Sequence, residues 1–142
     1  MEKRRQALGT LRMHSLETDQ VTTARIAFFD QKYVIVYKEE GEEWKGTSAR
    51  MSIDVSDPEN PLLRIVRKGR VASDYAFVSG KKTEGFYRFP EGELGLEVDT
   101  SELKVSVQER GLNVALSAWM TLQNSEAVPL QILLDLTWEE YS

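Results

Sequence analysis

Apolar and polar residues alternate with a period of two along most of this chain. Leu94, Leu96 and Val98 are interleaved with Glu93, Glu97 and Asp99, and Leu112, Val114, Leu116, Ala118, Met120 and Leu122 with Asn113, Ser117 and Thr121. Side chains of a strand point to opposite faces in turn, so each segment predicts a strand with one buried and one wet face. The same pattern places Leu11 and Met13 opposite Thr10, Arg12 and His14, and Ala24, Ile26 and Phe28 opposite Thr23, Arg25 and Ala27. It then sets Ala49, Met51, Ile53 and Val55 opposite Ser48, Arg50, Ser52 and Asp54, and closes the chain on Val128, Leu130, Ile132, Leu134, Leu136 and Trp138. Residues 33–37, Tyr-Val-Ile-Val-Tyr, are apolar on both faces. They predict a strand covered on both sides, or one whose second face lines a cavity.

The breaks between these runs are short. Thr18-Asp19-Gln20, Asp30-Gln31-Lys32, Arg67-Lys68-Gly69, Gly80-Lys81-Lys82, Pro90-Glu91-Gly92 and Glu109-Arg110-Gly111 read as turns, and the acidic run 39–43 as a solvated one. Residues 56–61 hold Pro58 and Pro61, neither of which can donate to a ladder, so an irregular loop is expected there. Residues 62–100 divide into four strands, a further one follows at 103–107, and no stretch has a helical period. About ten strands spaced by roughly 8 to 14 residues predict an all-β domain: a sandwich, or a closed antiparallel up-and-down β-barrel of about eight to ten strands. Closure is favoured because it removes exposed edges. The whole chain, 142 residues, is expected to form that single domain.

Composition narrows the chemistry. The chain has no cysteine and one histidine, which excludes disulfide scaffolds, thiolate metal sites and cysteine nucleophiles. Lys and Arg total 18 against 23 Asp and Glu, a net charge of -5 that argues against a general affinity for nucleic acid. The local exception is the hairpin carrying Arg64, Arg67, Lys68 and Arg70, which is either a contact for an anion or a charged edge that stays wet. The charged start, Met-Glu-Lys-Arg-Arg-Gln, does not read as a signal peptide, and no run is long and apolar enough to span a membrane. A cytoplasmic location is the expectation.

Arg67-x-Gly69, Phe77-x-x-Gly80-x-x-Thr83, Tyr87-x-x-Pro90-x-Gly92-x-Leu94-x-Leu96 and Thr100, in this order, resemble the YwiB-like family of small uncharacterised bacterial proteins. The resemblance extends over roughly residues 8–140 and is specific between about 62 and 100. It implies a calycin-like barrel akin to lipocalins and fatty-acid-binding proteins, and it brings no activity, cofactor or site residue with it.

Candidate chemistry therefore comes from strand parity. Arg67 shares parity with Leu63 and Ile65 and points inward near a barrel mouth, where Tyr75, Phe77, Tyr87 and Phe89 have the parity to join it. This constellation predicts an aromatic-lined space holding one cation, a ligand site for a small hydrophobic or amphipathic molecule bearing a carboxylate or phosphate. Alternatively Arg67 bends outward, or pairs with a carbonyl or carboxylate, and the aromatics fill the core as they do in many small barrels. The protein would then be an interaction or structural module using Trp119, which lies on a polar face, or the Arg64 to Arg70 hairpin. His14 shares a face with Thr10 and Arg12 and reads as a surface residue. Asp74 points away from Val71, Tyr75 and Phe77. No acid and base are paired for catalysis and no ligand set suits a metal, so neither enzyme activity nor a cofactor is expected.

Overall fold

The computed structural model describes residues 5–15, 19–39 and 41–139. Ten strands follow in chain order: β1 (Arg5–Ser15), β2 (Asp19–Phe29), β3 (Lys32–Lys38), β4 (Thr47–Asp54), β5 (Leu62–Gly69), β6 (Ala72–Val78), β7 (Lys82–Phe89), β8 (Gly92–Gln108), β9 (Gly111–Leu122) and β10 (Val128–Trp138). Each pairs antiparallel with its neighbours in sequence, and β1 pairs with β10 from Gly9 opposite Trp138 to Ser15 opposite Ile132, closing the barrel. Closure leaves no free edge where β1 and β10 meet, the reason it was favoured over an open sandwich.

Alternation sorts the side chains as the sequence pattern requires. Leu11, Ile26, Ile35, Met51, Ile53, Leu63, Phe77, Val98, Val114 and Leu136 are all essentially solvent-free and fill the interior. Three aromatic residues pack at the end where β2 turns into β3: Phe28 lies 4.7 Å from Tyr33, and Tyr33 5.7 Å from Trp138, between ring centroids.

Two elements differ from the sequence expectation. The strands expected at 93–99 and 103–107 are one continuous strand, β8, interrupted by a bulge between Thr100 and Glu102. The extra residue shifts parity, so Val98 and Thr100 face inward before it and Leu103 after it. A parity break of this kind looks like a strand end in one dimension. Before β4 the chain forms a single 3-10 turn, Glu42–Trp44, flanked by Gly41 and Gly46 at φ 110° and 78°, although no helical period is visible there in the sequence.

Candidate ligand site in the barrel interior

Arg67 sits on β5 two residues before the turn glycine Gly69, with the same inward parity as Leu63 and Ile65. Ladder register sets it in a row that crosses six strands: Tyr37 opposite Ala49, Ala49 opposite Arg67, Arg67 opposite Ser73, Ser73 opposite Tyr87, and Tyr87 opposite Leu94. Ala49 and Ser73, the two neighbours of Arg67, are small and fully buried. They leave the volume that a guanidinium needs inside a barrel, and they let it reach side chains from strands beyond them.

Arg67 is 8% exposed, and each of its three side-chain nitrogens finds an acceptor. Nε and Nη2 donate to Glu39 Oε1 at 3.0 and 2.8 Å, while Nη1 donates to Ser73 Oγ at 3.2 Å, Tyr75 Oη at 2.7 Å and, more distantly, Tyr87 Oη at 3.5 Å. The Tyr87 hydroxyl in turn donates to Tyr75 Oη at 3.2 Å. Trp44, brought in by the 3-10 turn, lies over the guanidinium at 4.7 Å, and the Tyr75 ring lies 5.6 Å away on a second side. A buried arginine is costly unless a carboxylate and further hydrogen bonds compensate it. Here both are present.

Electrostatics of the cluster follow from burial and from these neighbours. Burial pulls the Arg67 guanidinium down, but Tyr75, Tyr87, Glu39 and Tyr37 together raise it above its ordinary value, so it stays protonated. Burial also pushes the Tyr37 phenol well up, and Glu39 beside it adds to the rise while Arg67 opposes it. Tyr87 is raised by burial and by Tyr75, again against Arg67, and Tyr33 at the other end is raised by burial against Arg5. Unfolded phenols release their protons near pH ~10. The native state holds them longer, so it binds more protons than the unfolded state above that pH, and stability must fall as pH rises through the alkaline range. In an ultraviolet absorbance titration of the five tyrosines, fewer phenols should ionise by about pH 11 in the native protein than in urea. Equal counts in the two states would contradict this burial.

A cavity of about 230 Å³ adjoins the cluster. Its polar wall is Tyr37, Glu39, Arg67, Tyr75 and Tyr87; its apolar wall includes Phe77, Met51, Leu116, Met120 and Ile132, and Ser15 and Gln20 line it toward the end of the barrel. Four of the five residues expected to form a site, Arg67, Tyr75, Phe77 and Tyr87, therefore converge. Phe89 does not line the cavity. It stands at the rim, 37% exposed and stacked on Tyr87 at 6.0 Å, because it is the last residue of β7.

Glu39 was the residue that parity could have found. Read as part of a solvated acidic turn, it instead continues the inward register of Tyr33, Ile35 and Tyr37 past the end of β3, and its side chain is as buried as that of Arg67. The basic hairpin is correspondingly less cationic than its sequence. Arg67 is matched by Glu39, and Arg64 holds Asp74 through Nε–Oδ1 and Nη2–Oδ2 contacts of 2.8 and 2.5 Å on the outer face. That contact holds the Asp74 carboxyl below its ordinary range. His14 is exposed and bonded to Asp19, and Trp119 is 48% exposed on the outside of β9. Among the described residues no cluster of three His, Asp or Glu is arranged to hold a metal ion.

Comparison with known proteins agrees with this architecture. The family model described as a domain of unknown function (DUF1934) matches residues 12–132. The crystal structure of the ywiB protein from Bacillus subtilis superposes with a TM-score of 0.65 at 17% identity, covering 96% of this chain and 92% of that one, a likeness of fold. No curated protein matches.

Proposed function

We propose, since the chain belongs to the DUF1934 family of unknown function and inherits no activity from it, that the barrel interior binds one small amphipathic molecule without transforming it. The observation that carries this reading is the division of the cavity into a polar wall at Arg67, Glu39, Tyr75 and Tyr87 and an apolar wall at Phe77, Leu116 and Ile132. A volume of about 230 Å³ lies below the roughly 300–1,000 Å³ of drug-sized sites, so the occupant is small. Because Glu39 already supplies the negative charge opposite Arg67, the bound group is a neutral polar head and not a bare carboxylate or phosphate. An alcohol or amide can accept from Arg67 or a tyrosine and donate to Glu39. The reading makes the protein a calycin-like carrier or sensor acting in the cytoplasm, without enzyme activity or cofactor.

Native mass spectrometry tests it, first on the protein as purified and then with octanol and octanoate added. The expected result is a one-to-one adduct, tighter with octanol than with octanoate, that is lost when Ile132→Phe fills the apolar wall. An apo mass throughout, or adducts indifferent to Ile132→Phe, would overturn the reading in favour of a filled-core interaction module.

A further inference from the structure

The outer face of β3 is a sequence signal that the interior site does not absorb. Val34 and Val36 alternate with the buried Tyr33, Ile35 and Tyr37, so they face outward, and both are only half-buried. Register aligns the outward residues of five strands in one row: Leu8 opposite Arg25, Arg25 opposite Val36, Val36 opposite Arg50, and Arg50 opposite Val66. A groove of about 450 Å³ crosses this region, floored by Ala27, Val34 and Val36 and walled by Leu8, Arg25 and Arg50. Leu8 is 60% exposed.

Among the described residues, the two arginines on this face have no counter-charge. Arg64, Arg67 and Arg88 each hold a carboxylate, whereas neither Arg25 nor Arg50 forms an ion pair among the described residues. The outward carboxylates of Glu84, Glu93, Glu97 and Asp99 lie on β7 and β8, across the barrel. An acidic protein thus presents an aliphatic floor between two unpaired arginines, which selects an occupant that is both apolar and negatively charged.

We propose that this face docks an acidic amphipathic helix of a partner protein, laid across β2, β3 and β4. Spacing argues for the helix. Neighbouring strands are about 4.8 Å apart, which sets Arg25 and Arg50, two strands apart, at roughly 10 Å. A helix rises about 1.5 Å per residue, so carboxylates at i and i+7 lie on one face about 10.5 Å apart, with residues i+3 and i+4 between them over Val36. An extended segment presents every second residue to the sheet, at about 7 or 13 Å, and misses the pair. The described residues of this chain contain no α-helix, so a second copy does not supply one. The floor has no aromatic ring on which a nucleobase would stack.

The test is selection from a displayed library of sixteen-residue peptides against the full chain, with counter-measurement on Arg25→Glu/Arg50→Glu. Both arginines are exposed, so the variant should keep the wild-type circular dichroism spectrum and unfolding midpoint. The expected result is recovery of peptides with two acidic residues seven apart around apolar ones, binding the wild type at least tenfold more tightly than the variant and weakening as salt rises. Recovery of no peptide, of peptides without that acidic spacing, or of peptides that bind both proteins equally would overturn the proposal. So would charge-dependent binding to phosphatidylglycerol vesicles in place of peptide, or concentration-dependent self-association lost in the variant.

Discussion

Replacing Glu39 with Ala should lower the unfolding free energy by about 3–5 kcal/mol, the usual cost of stranding one partner of a buried ion pair. Arg67 cannot relieve the loss by turning outward without leaving Ser73, Tyr75 and Tyr87, and both charged side chains are more than nine-tenths buried. Urea denaturation measures the effect, and the informative comparison is with Arg67→Met and the double substitution Glu39→Ala/Arg67→Met. An apolar pair of similar volume removes both desolvation costs, so the double variant should recover most of the loss, giving a coupling energy of at least about 2 kcal/mol. If Glu39→Ala left the midpoint unchanged, the arginine would have access to water, and Glu39 and Arg67 would not form a buried ion pair.

Gly85→Ala should be the second large effect. A β-carbon at Gly85 would stand 2.2 Å from the Asp74 carbonyl oxygen and 2.8 Å from the Tyr75 β-carbon, and the first of these is backbone that cannot rotate away. β6 and β7 must separate to admit it, at a cost of about 3 kcal/mol, the upper part of the range for overpacking. Gly80→Ala is the control: its φ of 73° makes a side chain strained but nothing lies within 4 Å, so about 1 kcal/mol is expected. The separation would also carry Tyr87 from Tyr75 and Arg67, so alkaline titration of Gly85→Ala should recover a phenol of more ordinary pKa. Equal destabilisation by the two alanines would show that β6 and β7 part at little cost, and that the close approach at Gly85 is not a tight constraint.

How much of the site the sequence revealed depended on whether each residue lay within a strand or at its very end. Parity carried across a strand is a strong constraint, because one slip moves every side chain to the other face. Arg67, Tyr75, Phe77 and Tyr87 lie within their strands, and alternation turns all four inward. Phe89 and Glu39 stand at strand ends: the first lies at the rim as the last residue of β7, and the second keeps the inward register of β3 one residue past its end and meets the buried guanidinium there. Composition misled at Glu39, since four acidic residues around a glycine read as a solvated turn. The bulge in β8 was misread for the related reason that a change of parity and the end of a strand look alike in one dimension.

The sequence by itself determined the all-β class, the antiparallel succession of strands and the inward face of nearly every strand, because these follow from local alternation and short turns. The outward parity of Arg25 and Arg50 was also written in it, though not their shared row. Only tertiary structure decided which residues meet across the barrel: that Ala49 and Ser73 make room for Arg67, that Glu39 closes the charge, and that Trp44 covers it. Those contacts join residues between 6 and 28 positions apart, and their energy depends on distance and burial, which no local pattern encodes.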